Sequence, residues 1–182
     1  MSQQIIPYLE AQIKNDTQRI DAVWDNYPEE NKLKLLTQRR RGSGPRTRVG
    51  NGNTQIPKHQ WNSGFLKNEN NKKELFQFIS TKISRTDVAG KLCLSTHLDV
   101  VLSNWPCDVT KLQPCNHSEA DTRTVLHLAH AADQGHRKAF VRTVDSDIVV
   151  LAVGFFARIG LAELWVGYGS GKTYRDVPTS NP

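Results

Sequence analysis

The sequence predicts an α/β fold with a mostly parallel central sheet and helices on both of its faces. Three observations carry this. Residues 138–144 form an apolar run that reads as a buried strand. Residues 148–158 read as a helix stopped by Gly160, and residues 161–166 as a second strand. Neither strand run alternates apolar with polar residues, which marks strands covered on both faces. A strand-helix-strand order then implies a parallel pair joined by a crossover.

The remaining elements follow in order. Residues 4–15 read as a short helix with Ile5, Ile6, Leu9 and Ile13 on one face. Residues 19–24 read as a strand closing at Asp25, and residues 29–41 as a helix broken by Gly42-Ser43-Gly44-Pro45. Residues 46–61 are rich in Gly, Asn and Pro and show no period. They belong to a flexible basic and polar insertion over about residues 39–68, placed after the first strand. An amphipathic helix is expected over 69–84, its stripe made by Leu75, Phe76, Ile79 and Ile83. Short strands are expected at 91–94 and 100–102, then a Pro-containing connection over 103–117. The next helix opens at Ser118, with Val125, Leu128, Ala129 and Ala132 on one face, and Gly135 stops it.

At 182 residues the chain is one domain's worth, long enough to bury a core. The net charge of +6 favours an anionic partner, nucleic acid first. The sequence has no apolar run long enough to span a bilayer and no signal-peptide pattern at Met1–Pro7. Three cysteines without regular spacing fit a reducing compartment, so the expected location is intracellular, nuclear or cytoplasmic.

Chemistry is carried by acids at element ends. Asp25 follows one predicted strand, and Asp145 and Asp147 follow another. Glu119 and Asp121 stand in the first turn of a helix. Singly, Ser118-x-x-Asp121 reads as a helix cap, Asp145-Ser146-Asp147 as another, and Asp25 as a turn residue. Jointly, the carboxyl ends of parallel strands would bring all five to one edge, where they repel unless a cation lies between them. Hard oxygen ligands select Mg²⁺ or Mn²⁺, and that pairing points to metal-assisted phosphodiester chemistry.

The same residues carry a resemblance. Pro114-Cys115-Asn116-His117-Ser118-Glu119-Ala120-Asp121 resembles the Pro-x-x-x-Ser-Glu-Ala-Glu/Asp motif of flap-endonuclease-type PIN-like nucleases. The Asp-x-Asp at Asp145 and Asp147 resembles the turn after their next strand. Val23-Trp24-Asp25-Asn26 is similar to their strand ending in Phe-Asp-Gly. Glu119-Ala120-Asp121-Thr122-Arg123 with Leu164-Trp165-Val166-Gly167-x-Gly169-x-Gly171-Lys172 looks like the Asteroid-related, transposon-associated branch. The match covers roughly residues 17–48 and 114–178. It implies two metal ions, one held by Asp25, Glu119 and Asp121 and the other by Asp145 and Asp147, serving nucleic-acid cleavage. It also implies an earlier strand bearing a further metal-binding Asp. That strand has no counterpart here, so the chain is expected to be an incomplete PIN-like domain or to hold an incomplete first metal site.

Seven basic residues and no acids lie from Lys32 to Arg48: Lys32, Lys34, Arg39, Arg40, Arg41, Arg46 and Arg48. In the resembling nucleases this position carries an arch over the nucleic-acid backbone. Mobile Lys and Arg neutralise phosphates and release counterions in any case. The bland readings are a solvated loop or a nuclear-localisation run. Trp61 and Phe65 read as buried loop anchors rather than base-stacking rings.

Two motifs are decoys. Gly169-Ser170-Gly171-Lys172-Thr173 lacks the glycine that a phosphate loop needs five residues before Gly171, where Val166 stands. Cys115, His117, His127 and His130 match no zinc-finger spacing. A non-catalytic nucleic-acid or protein binding module on the same fold is the alternative to a nuclease.

Overall fold

A computed structural model describes residues 2–14, 16–26, 44–49, 61, 64–117 and 119–179. The chain divides into two compact units, Met1–Val109 and Thr110–Pro182, each with its own three-stranded sheet. The α/β class holds in both.

The first unit contains α1 (Ser2–Glu10), β1 (Arg19–Ala22), a 3-10 turn (Phe65–Lys67), α2 (Glu69–Ser84), β2 (Leu92–His97) and β3 (Val100–Ser103). The first helix ends earlier than its apolar spacing suggests. Gln12 and Ile13 donate to the carbonyls of Leu9 and Glu10 at 3.0 Å each, a tighter turn that leads the chain away. β1 pairs in parallel with β2, from Arg19 opposite Leu92 to Ala22 opposite Ser95. β3 pairs antiparallel with β2. Only Leu98, at φ 58, and Asp99 join those two strands. Two residues close a hairpin but cannot make a crossover.

α2 has the bounds its periodicity predicts. Asn68 caps it by accepting the N–H groups of Asn70 at 3.1 Å and Asn71 at 3.4 Å. Leu75, Ile79 and Ile83 are buried along one face, and Phe76 stacks on Trp24 with centroids 4.9 Å apart. Trp61 stacks on the buried Phe65, so both act as anchors, as expected. Residues 44–49 are tied to α2 through the buried Asn71. Its amide donates to Pro45 O at 2.9 Å and Phe65 O at 3.1 Å. It accepts from Thr47 N at 2.9 Å and Arg46 Nη1 at 3.0 Å, which satisfies it fully.

The second unit contains α3 (Ala120–Asp133), β4 (Lys138–Thr143), α4 (Ser146–Ile159), β5 (Glu163–Tyr168), a 3-10 turn (Gly171–Thr173) and β6 (Arg175–Pro178). Gly135 at φ 88 and Gly160 at φ 87 end the two helices in the left-handed conformation that glycine adopts without strain. β4 and β5 are parallel, with Lys138 opposite Glu163 and Thr143 opposite Tyr168. β6 returns antiparallel onto β5 through a short Gly-containing turn. Each sheet is therefore mixed, one parallel pair with an antiparallel edge, and not the mostly parallel sheet expected.

The expectation of helices on both faces also needs correction in this unit. Leu128 of α3 and Ala152 and Ile159 of α4 pack with Val141, Leu164 and Val166 into one core. Each fully buried Leu or Val there contributes about 1.5–3 kcal/mol. The register puts Lys138, Phe140, Arg142 and Trp165 on the other face. Phe140 is 42% exposed, so β4 alternates after all. There Phe140 and Tyr174 lean over Gly167, where an added Cβ would lie 2.6 Å from each ring's outer atom. Arg142 covers Tyr174 at 4.1 Å from the ring centroid.

Candidate metal centre

Two acid pairs open two neighbouring helices. Glu119 is the residue preceding α3 and makes no side-chain cap bond. Asp121, half-buried in the first turn, accepts Thr122 N at 2.5 Å through Oδ1. Ser118, the expected partner in a capping box, lies outside the described residues. Asp145 stands at the end of β4, its N–H donating to Thr143 Oγ1 at 2.9 Å. Its Oδ1 accepts Asp147 N at 2.9 Å, so it caps α4.

Topology brings these two openings to one end of the unit. α3 leads through a tight turn into β4, so its first turn lies at the carboxyl end of that strand, where α4 starts. At the far end the helices meet, with Ala132 Cβ 3.8 Å from where a Cβ on Gly160 would stand. Their macrodipoles therefore share one direction, and both positive ends favour carboxylates.

Glu119, Asp145 and Asp147 are exposed and Asp121 half-buried. Water and salt screen exposed like charges, so repulsion among them is modest without a cation. Among the described residues, no three His, Cys, Asp or Glu side chains gather closely enough to hold a metal ion.

Asp25 belongs to the first unit, half-buried just beyond β1. Trp24 N donates to Thr96 Oγ1 at 2.8 Å, which fixes this stretch beside the carboxyl end of β2. His97, the last residue of β2, was not among the expected site residues. Its Nδ1 is buried with no hydrogen-bond partner, and burial holds the imidazole below its ordinary pKa. A neutral imidazole at a strand end suits proton acceptance or metal ligation. A lone His carries no spacing signal, and only its position after an apolar strand could have marked it.

Of the basic stretch, Lys32, Lys34, Arg39, Arg40 and Arg41 lie outside the described residues. Arg46 forms an ion pair with Glu74 and a bond to Asn71, so it anchors residues 44–49. Arg48 is exposed. The Gly-rich segment forms the 3-10 turn Gly171–Thr173, unlike a phosphate loop opening a long helix. His127 and His130 are buried in α3. No helix among the described residues is long and apolar enough to cross a membrane.

Comparisons with protein-family models, curated proteins and solved structures give no match.

Proposed function

We propose that this chain is a divalent-metal-dependent, nuclease-like domain of the PIN-like kind that acts on nucleic-acid phosphodiesters. What carries the reading is the common opening of α3 and α4, which puts Glu119 and Asp121 at the same end as Asp145 and Asp147. The resemblance of the motifs around these residues supports it. The donor set fits the cation class, because every candidate is a carboxylate and Mg²⁺ and Mn²⁺ prefer oxygen. Asp145 and Asp147 would hold one ion, and Glu119 and Asp121 the other. Bound there, the pair would supply an activated water and charge stabilisation at the leaving oxygen. The chain itself would hold the carboxylates at the helix openings, and Lys32, Lys34, Arg39, Arg40, Arg41 and Arg48 would grip phosphates, while Arg46 anchors the segment beside them.

The second reading is a non-catalytic nucleic-acid or protein binding module on the same fold, in the nucleus or cytoplasm. Asp145 capping α4 and Asp121 accepting Thr122 N favour it, because both acids already have structural work.

Cleavage of end-labelled oligonucleotides separates the two. Slow cleavage, faster with Mn²⁺ than Mg²⁺ and lost in Asp147→Ala, supports the nuclease-like reading. Salt-sensitive binding with no cleavage in either metal supports the binding module.

A further inference from the structure

The outer side of α4 leads beyond the nuclease-like reading and does not rest on it. α4 buries Ala152 and Ile159 and sets Ile148, Val149 and Phe156 against the same core. At about 100° per residue, Val150, Val153, Gly154 and Ala157 fall on the opposite side. Val150 is 69% exposed and Val153 53%. A Cβ built on Gly154 would meet nothing within 4 Å. Surface helices carry polar residues on that side, whereas a helix apolar all round is normally covered.

Charge identifies the cover. Asp147 in the first turn and Arg158 in the last are both exposed. They are eleven residues apart, about three turns, so they flank the apolar strip on the same side. When two copies of one helix pair antiparallel about a twofold axis, equal flanks meet in reverse order. Asp147 then stands against the partner's Arg158, and the contact occurs twice. Val153 seats over the partner's Gly154, and Val150 lies opposite the partner's Ala157. Parallel pairing would turn each charged flank toward the partner's opposite, uncharged flank and form neither pair. We propose that the chain forms a homodimer through α4, packed antiparallel across this strip.

The test is sedimentation velocity over about a hundredfold range of concentration, in EDTA so that metal binding cannot contribute. The wild-type chain should shift from the mass of one chain toward that of two. Val150→Glu with Val153→Glu should stay monomeric with an unchanged circular dichroism spectrum. Arg158→Asp should weaken association by about fivefold or more, and adding Asp147→Arg should restore most of it. A wild-type chain monomeric throughout, or a dimer indifferent to the two glutamates, would overturn the proposal. A charge-swapped chain no better than Arg158→Asp would overturn the antiparallel pairing.

Discussion

The carboxylate of Asp145 accepts the backbone N–H of Asp147 at 2.9 Å, which divides the labour within this Asp-Ser-Asp turn. One acid caps α4, and the other stands exposed in its first turn. Asp145→Ala should therefore cost about 1 kcal/mol of stability, while Asp145→Asn, which still caps, should cost only a few tenths. Asp147→Asn should be close to neutral. Urea unfolding of the three variants checks the order, and equal losses in the Ala and Asn variants would show that the cap contributes nothing.

Gly167 is tied to the rings beside it. An Ala there would press against Phe140 and Tyr174. Tyr174 is held by its hydrogen bond to Asp176 and by Arg142 above its ring, so it cannot give way easily. Gly167→Ala should destabilise by about 1–2 kcal/mol, and Tyr174→Phe in the same chain should recover part of it. Strict additivity in the double-variant cycle would refute this steric account.

Glu74 sets a pH dependence. The hydrogen bond from Arg46 holds its carboxyl below the ordinary value, ahead of the opposing effect of burial and the added help of the Val49 N–H. A carboxyl depressed in the folded state stabilises above its unfolded pKa and loses that contribution as pH falls through the folded one. Stability should thus decline from about pH 5 downward more steeply in the wild type than in Glu74→Gln. Parallel melting-temperature profiles in acid would contradict the assignment.

Much of the fold is legible in the sequence where one signal acts alone. The 3–4 spacing of Leu75, Phe76, Ile79 and Ile83 gives α2 its bounds, and Gly135 and Gly160 stop two helices. The mixed sheets are not legible, because direction is set by connection length. Leu98-Asp99 and the turn after Gly169 are too short to cross over, and no apolar pattern reports that. β4 misleads because Phe140 is apolar yet lies on the face away from both helices. The acids at the helix openings are legible from capping chemistry. The role of Arg46 is not, since pairing with Glu74 in α2 depends on folding. The helix expected over 29–41 falls outside the described residues.

The basic stretch gives a prediction independent of the acids. Replacing Arg39, Arg40 and Arg41 with Ala should weaken nucleic-acid binding about equally across sequences and reduce its salt dependence. Fluorescence anisotropy at several salt concentrations measures both. Unchanged affinity and slope would leave these residues as a solvated loop or a localisation run. Arg46→Ala should instead lower stability, because it removes a partner of Asn71 and Glu74.

Metal-linked melting tests the nuclease-like reading most directly. A cation that binds only the folded state raises its stability by about 2.7 kcal/mol at a hundred times its Kd. Mn²⁺ should therefore raise the melting temperature of the wild-type chain, and Mg²⁺ should do so less. The response should vanish in Asp145→Asn with Asp147→Asn, where the cap survives and the charges do not. No response in the wild type, or an equal one in the double variant, would contradict a metal site at the openings of α3 and α4.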